Sequence, residues 1–120
     1  MSNLTHIVTP EDTARAVGSG DLEVLGTPVL IAWCEAATCA ALALPETQTS
    51  VGTHVDVCHL APSPVGATVR VSATVTERSD RTAVFAVEAR DADTLLASGT
   101  VTRAIVDRER FVARVGRVRP

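Results

Sequence analysis

One carboxylate stands in the middle of the most apolar segment of the chain. From Thr27 to Leu44 the sequence reads TPVLIAWCEAATCAALAL, and Glu35 is its only charged residue. A carboxylate in such surroundings loses much of its hydration, and a buried charge without a partner is strongly destabilising. A desolvated carboxylate is also a stronger base and nucleophile. Glu35 is therefore either held by a cation or engaged in chemistry.

A histidine further along the chain could share that chemistry. His59 titrates near neutrality and can carry a proton, and it falls on the apolar face of an alternating segment. The alternative is a structural histidine satisfied within the core. His54 and Asp56 alternate onto the opposite, polar face, which indicates a surface position.

The apolar segment itself predicts one long helix, from Thr27 to about Leu44. Thr27 is a good N-cap, Pro28 suits the first helical position and Pro45 ends the helix. Apolar residues occur all round this helix, so we expect other elements to enclose it.

The rest of the chain supplies those elements as short segments of alternating apolar and polar residues. This period of two predicts antiparallel strands with one solvated face. The first 21 residues add a short strand, a weak helix from Thr13 to Val17 and a loop from Gly18 to Asp21. The strand segments are 4–9, 48–60, 67–77, 81–90 and 95–106.

This order of elements predicts an α+β fold of the hotdog type. A curved antiparallel sheet of about five strands would wrap one long helix in a single domain, residues 1–120, of which 109–120 form a basic tail. Such a unit leaves a sheet edge and a helix flank bare, so we expect a homodimer or a higher oligomer.

The composition narrows the possible partners. A net charge of −3 and 2% aromatic residues argue against nucleic-acid binding. Cys34, Cys39 and Cys58 fit no zinc spacing and predict small buried side chains in a reducing compartment. The N-terminus lacks the features of a secretory signal, and a central Glu argues against a membrane span, so we expect a cytoplasmic protein.

All eleven basic residues are arginines, and five of them lie close together near the end of the sequence. They form either a solvated charge cluster or a grip for a phosphorylated ligand. The five are Arg108, Arg110, Arg114, Arg117 and Arg119.

Three stretches in order, VLGTPVLIAWCEAA, TSVGTHVDVCHLAPSPVGATVRVSA and SGTVTRAIVDRERF, resemble the fluoroacetyl-CoA thioesterase family of hotdog proteins. The resemblance runs from about Thr9 to Arg114. It implies a catalytic set of Thr27, Glu35 and His59. It further implies a backbone N–H of Gly52 that faces the thioester carbonyl and a last-strand Arg103 that pairs with Glu35 or with substrate.

Two positions depart from the family pattern. An aromatic lid residue is expected fourteen residues before the helix Glu, and Asp21 stands there instead. A His often precedes the last-strand Arg by two residues, where this chain has Val101. Specificity for fluoroacetate therefore does not follow from the resemblance.

The resemblance implies hydrolysis of a small acyl-CoA thioester without metal or other cofactor. One alternative is a non-catalytic hotdog protein that binds acyl-CoA or another apolar ligand, with Glu35 as a structural acid paired to Arg103. A lower-ranked alternative is a hotdog enoyl-thioester hydratase, for which Asp56 and His59 are too close in sequence. The acyl group, the carrier (CoA or acyl carrier protein) and the role of Glu35 as nucleophile or base remain open.

Overall fold

The structure is a computed structural model that describes residues 1–118. Five strands form one antiparallel sheet in the order β1-β3-β4-β5-β2, and the long helix α2 lies across it, which confirms the predicted hotdog architecture. A 3-10 turn, Pro10–Asp12, precedes α1. In chain order the elements are β1 (Ser2–Ile7), α1 (Ala14–Val17), α2 (Thr27–Leu42), β2 (Gln48–His59), β3 (Thr68–Arg78), β4 (Thr82–Asp91), β5 (Thr94–Asp107) and α3 (Arg108–Val118).

The concave face of the sheet carries the core against α2. The alternation predicted for β3 and β4 is confirmed, because every second side chain there is fully buried, whereas the intervening residues are mostly exposed. Val75 is the exception: the alternation predicts that it lies on the apolar face with Val71 and Ala73, but it is 44% exposed, next to a register shift between Val75 and Glu77. The buried residues of these strands are Val69, Val71, Ala73, Ala83, Phe85, Val87 and Ala89.

The sheet covers only one side of α2. Leu30, Cys34 and Ala37 are buried, whereas Ala36 and Cys39 on the opposite side are exposed. The prediction of a fully enclosed helix is therefore wrong for a single chain. The sequence pattern misled because the outward face is built from alanines, which count as apolar but are small enough to stand in water.

The cysteines follow the same division. Cys34 is buried as predicted, but Cys39 and Cys58 are exposed, so the prediction of three buried thiols is wrong. Cys39 lies on the outward face of α2, and Cys58 lies on β2, an edge strand of the sheet. Neither position has a second layer of this chain above it.

Helix α2 begins at Thr27, one residue earlier than it would if Thr27 were its N-cap. Gly26 is the N-cap, in extended conformation, and Thr27 is already the first helical residue, with Pro28 second. Ala43 closes the helix in the left-handed region with φ 48°, so the helix ends two residues before the predicted Leu44. The predicted capping role of Thr27 is wrong, and its hydroxyl is free for another partner.

The basic tail is helical through Val118. Asp107 Oδ1 accepts a hydrogen bond from the Arg110 N–H at 2.9 Å, which caps α3. The Arg108 guanidinium donates to the backbone carbonyls of Glu46 and Gln48, which ties the start of α3 to the start of β2. Arg119 lies outside the described residues. Within residues 1–118, the helices are all too short or too polar to cross a membrane.

Gly99 allows β2 and β5 to pair closely, and a side chain there is expected to destabilise the sheet. A methyl group at Gly99 would lie 2.7 Å from the Val57 Cα and run into the carbonyl oxygen of Asp56. Gly99→Ala should therefore lower the free energy of unfolding by about 1–3 kcal/mol, as other overpacked sites do. Thermal unfolding measures this effect.

Gly116→Ala is the matched control, because nothing lies within 4 Å of a methyl group at that position in α3. Replacing a helical glycine by alanine should leave the melting temperature unchanged or raise it. Equal melting temperatures for Gly99→Ala and the parent would contradict the tight packing of β2 on β5.

Candidate active site

Thr27 and His59 form a hydrogen-bonded pair where α2 begins and β2 ends. Thr27 Oγ1 lies 2.7 Å from His59 Nδ1. This contact is possible because Gly26, not Thr27, is the N-cap of the helix. The other ring nitrogen, Nε2 of His59, is buried and has no hydrogen-bond partner among the described residues. When the hydroxyl donates to Nδ1, Nε2 carries the proton of the neutral ring.

A small pocket opens beside this pair. It has a volume of about 280 Å³, and most of its lining is apolar. Asp21, which stands where the family resemblance implies an aromatic lid, is exposed and does not line it. The pocket could accommodate a short apolar group next to the imidazole. Its lining residues are Ala14, Ser19, Val24, Leu25, Thr27, His59, Leu60, Ala61 and Pro62.

Glu35 is held by Arg103. Arg103 Nη1 donates to Glu35 Oε2 at 3.3 Å, and the Arg103 side chain is 7% exposed against 36% for Glu35. The same guanidinium donates to Ser50, from Nε to Oγ at 2.8 Å and from Nη2 to the carbonyl oxygen at 3.2 Å. A buried guanidinium needs acceptors for its donors, and these two residues provide them. The ion pair leaves one side of the carboxylate accessible.

Gly52 completes this cluster from β2. Its Cα is so close to Glu35 that a methyl group would collide with Oε2 and lie 3.5 Å from Arg103 Nη1. Only glycine lets the strand pass the carboxylate at this distance. Ser50, two residues earlier on β2, was not predicted from the sequence as a site residue. Its position two residues from Gly52, on the same side of an alternating strand, was the available clue.

Within one chain, the predicted site residues form two separate groups. Thr27 and Glu35 are eight residues apart on α2, about 12 Å along the helix axis. Gly52 and His59 are seven residues apart on β2, about 23 Å. The structure thus brings Thr27 to His59, and Glu35 to Gly52 and Arg103. The family resemblance further implies that Thr27, Glu35 and His59 converge on one cleft at a dimer interface, with Gly52 nearby, and this stays a prediction.

Protonation distinguishes the ionisable groups near α2. Burial lowers the pKa of His59 from 6.5, and the nearby backbone of Ala61 partly opposes this shift, so the imidazole is neutral at neutral pH. Burial, and secondly the charge of Glu35, raise the pKa of the Cys34 thiol to about 11. Cys34 is therefore a protonated core residue and no nucleophile.

The described residues contain no group of three or more His, Cys, Asp or Glu side chains arranged to hold a metal ion. The cation that faces Glu35 is the Arg103 guanidinium. Val101, which replaces a frequent family His, is fully buried on β5 and takes part in the core.

The sequence of the chain is similar to those of known thioesterases. A family model described as fluoroacetyl-CoA-specific thioesterase matches residues 8–109. The chain is 34% identical over 100 residues to a fluoroacetyl-CoA thioesterase of Streptantibioticus cattleyicolor, with 82% of this chain and 72% of the relative covered.

Two solved structures extend the comparison. A mutant of the fluoroacetyl-CoA-specific thioesterase FlK, crystallised with fluoroacetate and CoA, superposes with a TM-score of 0.93, 30% identity and 100% coverage of both chains. A thioesterase superfamily member of Thermus thermophilus superposes with a TM-score of 0.89 and 26% identity, covering 98% of this chain and 88% of its own.

The lowered pKa of His59 predicts how stability depends on pH. Because the unfolded chain binds a proton near pH 6.5 and the folded chain only at lower pH, the unfolded state holds more protons in that window. The free energy of unfolding should therefore decrease as the pH falls below 6.5. Urea titrations at several pH values measure it. His59→Gln should reduce this decrease; an unchanged slope would contradict the neutral, desolvated imidazole.

Proposed function

The chain belongs to the fluoroacetyl-CoA-specific thioesterase family, a family of thioester hydrolases, and we propose that it hydrolyses a small acyl-CoA thioester to the free acid and CoA. The reaction would take place at two equivalent sites, each shared between the two chains of a homodimer. One observation carries the proposal: the candidate residues form two complementary half-sites at opposite ends of the same edge strand.

Strand β2 supplies a way to join the half-sites. It is twelve residues long and lies at the edge of the sheet, so its outer side is available for pairing. Antiparallel pairing of two copies of β2 about a two-fold axis between Val55 and Asp56 sets Gly52 of one chain opposite the partner's His59. Glu35 of each protomer would then face Thr27 and His59 of the other.

Each member of such a site has a role in thioester cleavage. Glu35 is aligned by Arg103 and attacks the carbonyl carbon, either directly or through a water molecule that it activates. The N–H of Gly52 donates to the oxygen on which negative charge develops. The neutral ring of His59, held by Thr27, takes up the proton released by the attacking water and passes it to the departing thiolate of CoA. The net reaction consumes one water molecule.

The pocket beside His59 is the proposed acyl site. Its volume of about 280 Å³ and its apolar lining suit a short aliphatic acyl group. The family's name specifies fluoroacetyl-CoA, but this chain carries the exposed Asp21 where an aromatic lid is expected. We therefore propose a preference for short acyl groups generally and not for fluoroacetyl alone.

Complementation between two inactive variants tests the shared site. Glu35→Gln keeps the shape of the side chain but removes the ionisable oxygen, and His59→Ala removes the proton carrier. Each homodimer should lose about 10²–10⁴-fold in the rate of thiol release from the best acyl-CoA. Mixed dimers should recover activity, because one of their two sites contains both parent residues.

With random assortment, half of the dimers are mixed and half of their sites are intact, so about one quarter of the parent activity should return. The control is the Glu35→Gln variant alone, taken through the same mixing procedure. No recovery, although mixed dimers are detected by mass spectrometry, would mean that each site lies within one chain. Parent-like hydrolysis by Glu35→Gln would make Glu35 a structural acid and contradict its proposed role, whereas binding of acyl-CoA by the parent without any thiol release would favour a non-catalytic binding protein.

Gly52→Ala tests the close approach of β2 to the carboxylate. The added methyl group must displace Glu35 from Arg103, and a shift of about 1 Å in a reacting group can cost about 10²-fold in rate. We expect kcat/KM for acyl-CoA to fall by this factor while the melting temperature changes little. Thr74→Ala, at an exposed position on β3 away from the site and from the β2 edge, is the control and should retain parent kinetics.

A further inference from the structure

Three side chains with metal-binding groups lie in a row on the outer face of β2. His54, Asp56 and Cys58 are all exposed and occupy alternate positions of the strand. Val55, between the first two, pairs with the buried Val101, so the three side chains point away from the core. Imidazole, carboxylate and thiolate are the protein ligands that Zn²⁺ takes. None of the three has a part in the proposed hydrolysis.

One chain alone cannot bring these three side chains to one ion. His54 and Cys58 are four residues apart on an extended strand, about 13 Å, whereas a zinc ion holds its ligand atoms at about 2.0–2.3 Å. Accordingly, residues 1–118 of a single chain contain no group of three or more such side chains arranged to hold a metal. A second strand beside the outer edge of β2 would have to supply ligands.

The proposed dimer supplies that strand. The pairing of β2 with β5 passes directly from Gly52 to His54, so β2 has one extra residue at this bulge. The dimer sets Gly52 opposite the partner's His59. Counted from there along the ladder, His54 comes opposite the partner's Cys58, and Asp56 lies next to the two-fold axis. Opposite residues of antiparallel strands point to the same face with Cβ atoms about 4.5–5.5 Å apart, so the imidazole and the thiolate can share one ion.

The same pairing brings two carboxylates together. Asp56 meets the partner's Asp56 across the axis, and like charges in such a position destabilise a pair of strands. The neighbouring strand β5 offers no compensating charge, because the residues that pair with the three side chains are Thr102, Thr100 and Ser98. A divalent cation on each side of the axis would neutralise the carboxylates.

We propose that two Zn²⁺ ions bind at the β2–β2 interface and stabilise the dimer. Each ion takes the imidazole of His54, the thiolate of the partner's Cys58 and one Asp56 carboxylate, with a water molecule as the fourth ligand. A set that contains sulfur and imidazole selects zinc over Mg²⁺ and Ca²⁺. Binding converts each Cys58 thiol to a thiolate and releases its proton to solvent.

These ions are structural. The sheet separates the outer face of β2 from α2, which carries Glu35, so the ions take no part in hydrolysis. The inference rests on the dimer of the proposed function and adds a binding site to it. It also makes the association of the two chains depend on the metal.

Sedimentation equilibrium of the tag-free protein measures the dissociation constant of the dimer in EDTA and in Zn²⁺. Zn²⁺ should tighten the parent dimer at least about tenfold, because an ion that binds only the dimer stabilises it by mass action. His54→Gln and Cys58→Ser should lose this tightening. Cys39→Ser removes the other exposed thiol and is the control, which should keep it. The proposal is wrong if Zn²⁺ leaves the parent unchanged, or if Cys39→Ser loses the effect as well.

Asp56→Asn tests the meeting of the two carboxylates. In EDTA this variant should dimerise more tightly than the parent, because the like charges at the axis are removed. In Zn²⁺ it should gain less than the parent, because each ion loses an anionic ligand. Weaker dimerisation than the parent in EDTA would contradict the predicted position of Asp56 at the axis.

Cobalt reports the ligands directly, even where the dimer is too tight to dissociate. Co²⁺ accepts the same nitrogen and sulfur ligands, and a thiolate bound to it absorbs in the near ultraviolet. The parent should bind about one Co²⁺ per chain with this absorption, and His54→Gln and Cys58→Ser should each lose it. Binding of Co²⁺ by the parent without thiolate absorption would identify an adventitious ion only and overturn the proposal.

Mixed dimers of these two variants show whether the ligands come from different chains. One of the two sites in a mixed dimer keeps both His54 and the partner's Cys58. With random assortment, about one quarter of the parent absorption should therefore return. No recovery, although mass spectrometry detects mixed dimers, would exclude a site shared between the chains.

Zinc binding and hydrolysis can fail separately. If Zn²⁺ tightens the dimer through His54 and Cys58 but no acyl-CoA releases thiol, the zinc site is supported and hydrolysis is refuted. If Glu35→Gln and His59→Ala complement each other in hydrolysis while Zn²⁺ leaves the dimer unchanged, the shared active site is supported and the zinc site is refuted.

Discussion

The ion pair between Glu35 and Arg103 is the contact on which the rest of the site depends. A charge on an otherwise apolar helix is stable only with a partner, and Arg103 meets it from the facing strand. Arg103 in turn is buried and requires Ser50 to satisfy its remaining donors. Gly52 must lack a side chain because the strand that carries Ser50 passes directly against the carboxylate. Four positions on three elements thus fix one another.

The elements of the fold could be predicted from residue periodicity. The alternation in β3 and β4 determines which face of the sheet meets α2, and the structure confirms it. The exposed face of α2 could not be predicted. It contains Ala36 and Ala40, and an alanine has the same hydropathy whether it lies in the core or on the surface. The α3 helix was described only as a basic tail, since its charges hide the apolar positions between them.

The candidate site was predictable in its residue types but not in its grouping. The family resemblance selected Thr27, Glu35 and His59, but linear spacing cannot tell which of them meet. A one-residue difference in the start of α2 decides that Thr27 contacts His59 instead of capping the helix. Ser50 was missed because a serine in a strand carries no pattern of its own, and its role appears only when the register places it beside Arg103.

The cap of α2 has a further electrostatic consequence. Gly26 has no side chain to cap α2, Pro28 has no N–H, and the Val29 N–H donates to the Gly26 carbonyl oxygen, so no side-chain oxygen neutralises this end of the helix. The summed peptide dipoles of a sixteen-residue helix therefore direct a partial positive charge toward the end where Thr27 holds His59. This field opposes an imidazolium and favours negative charge at the same point. At the position proposed for the departing sulfur, the helix would supply a fixed partial positive charge in addition to forming the core.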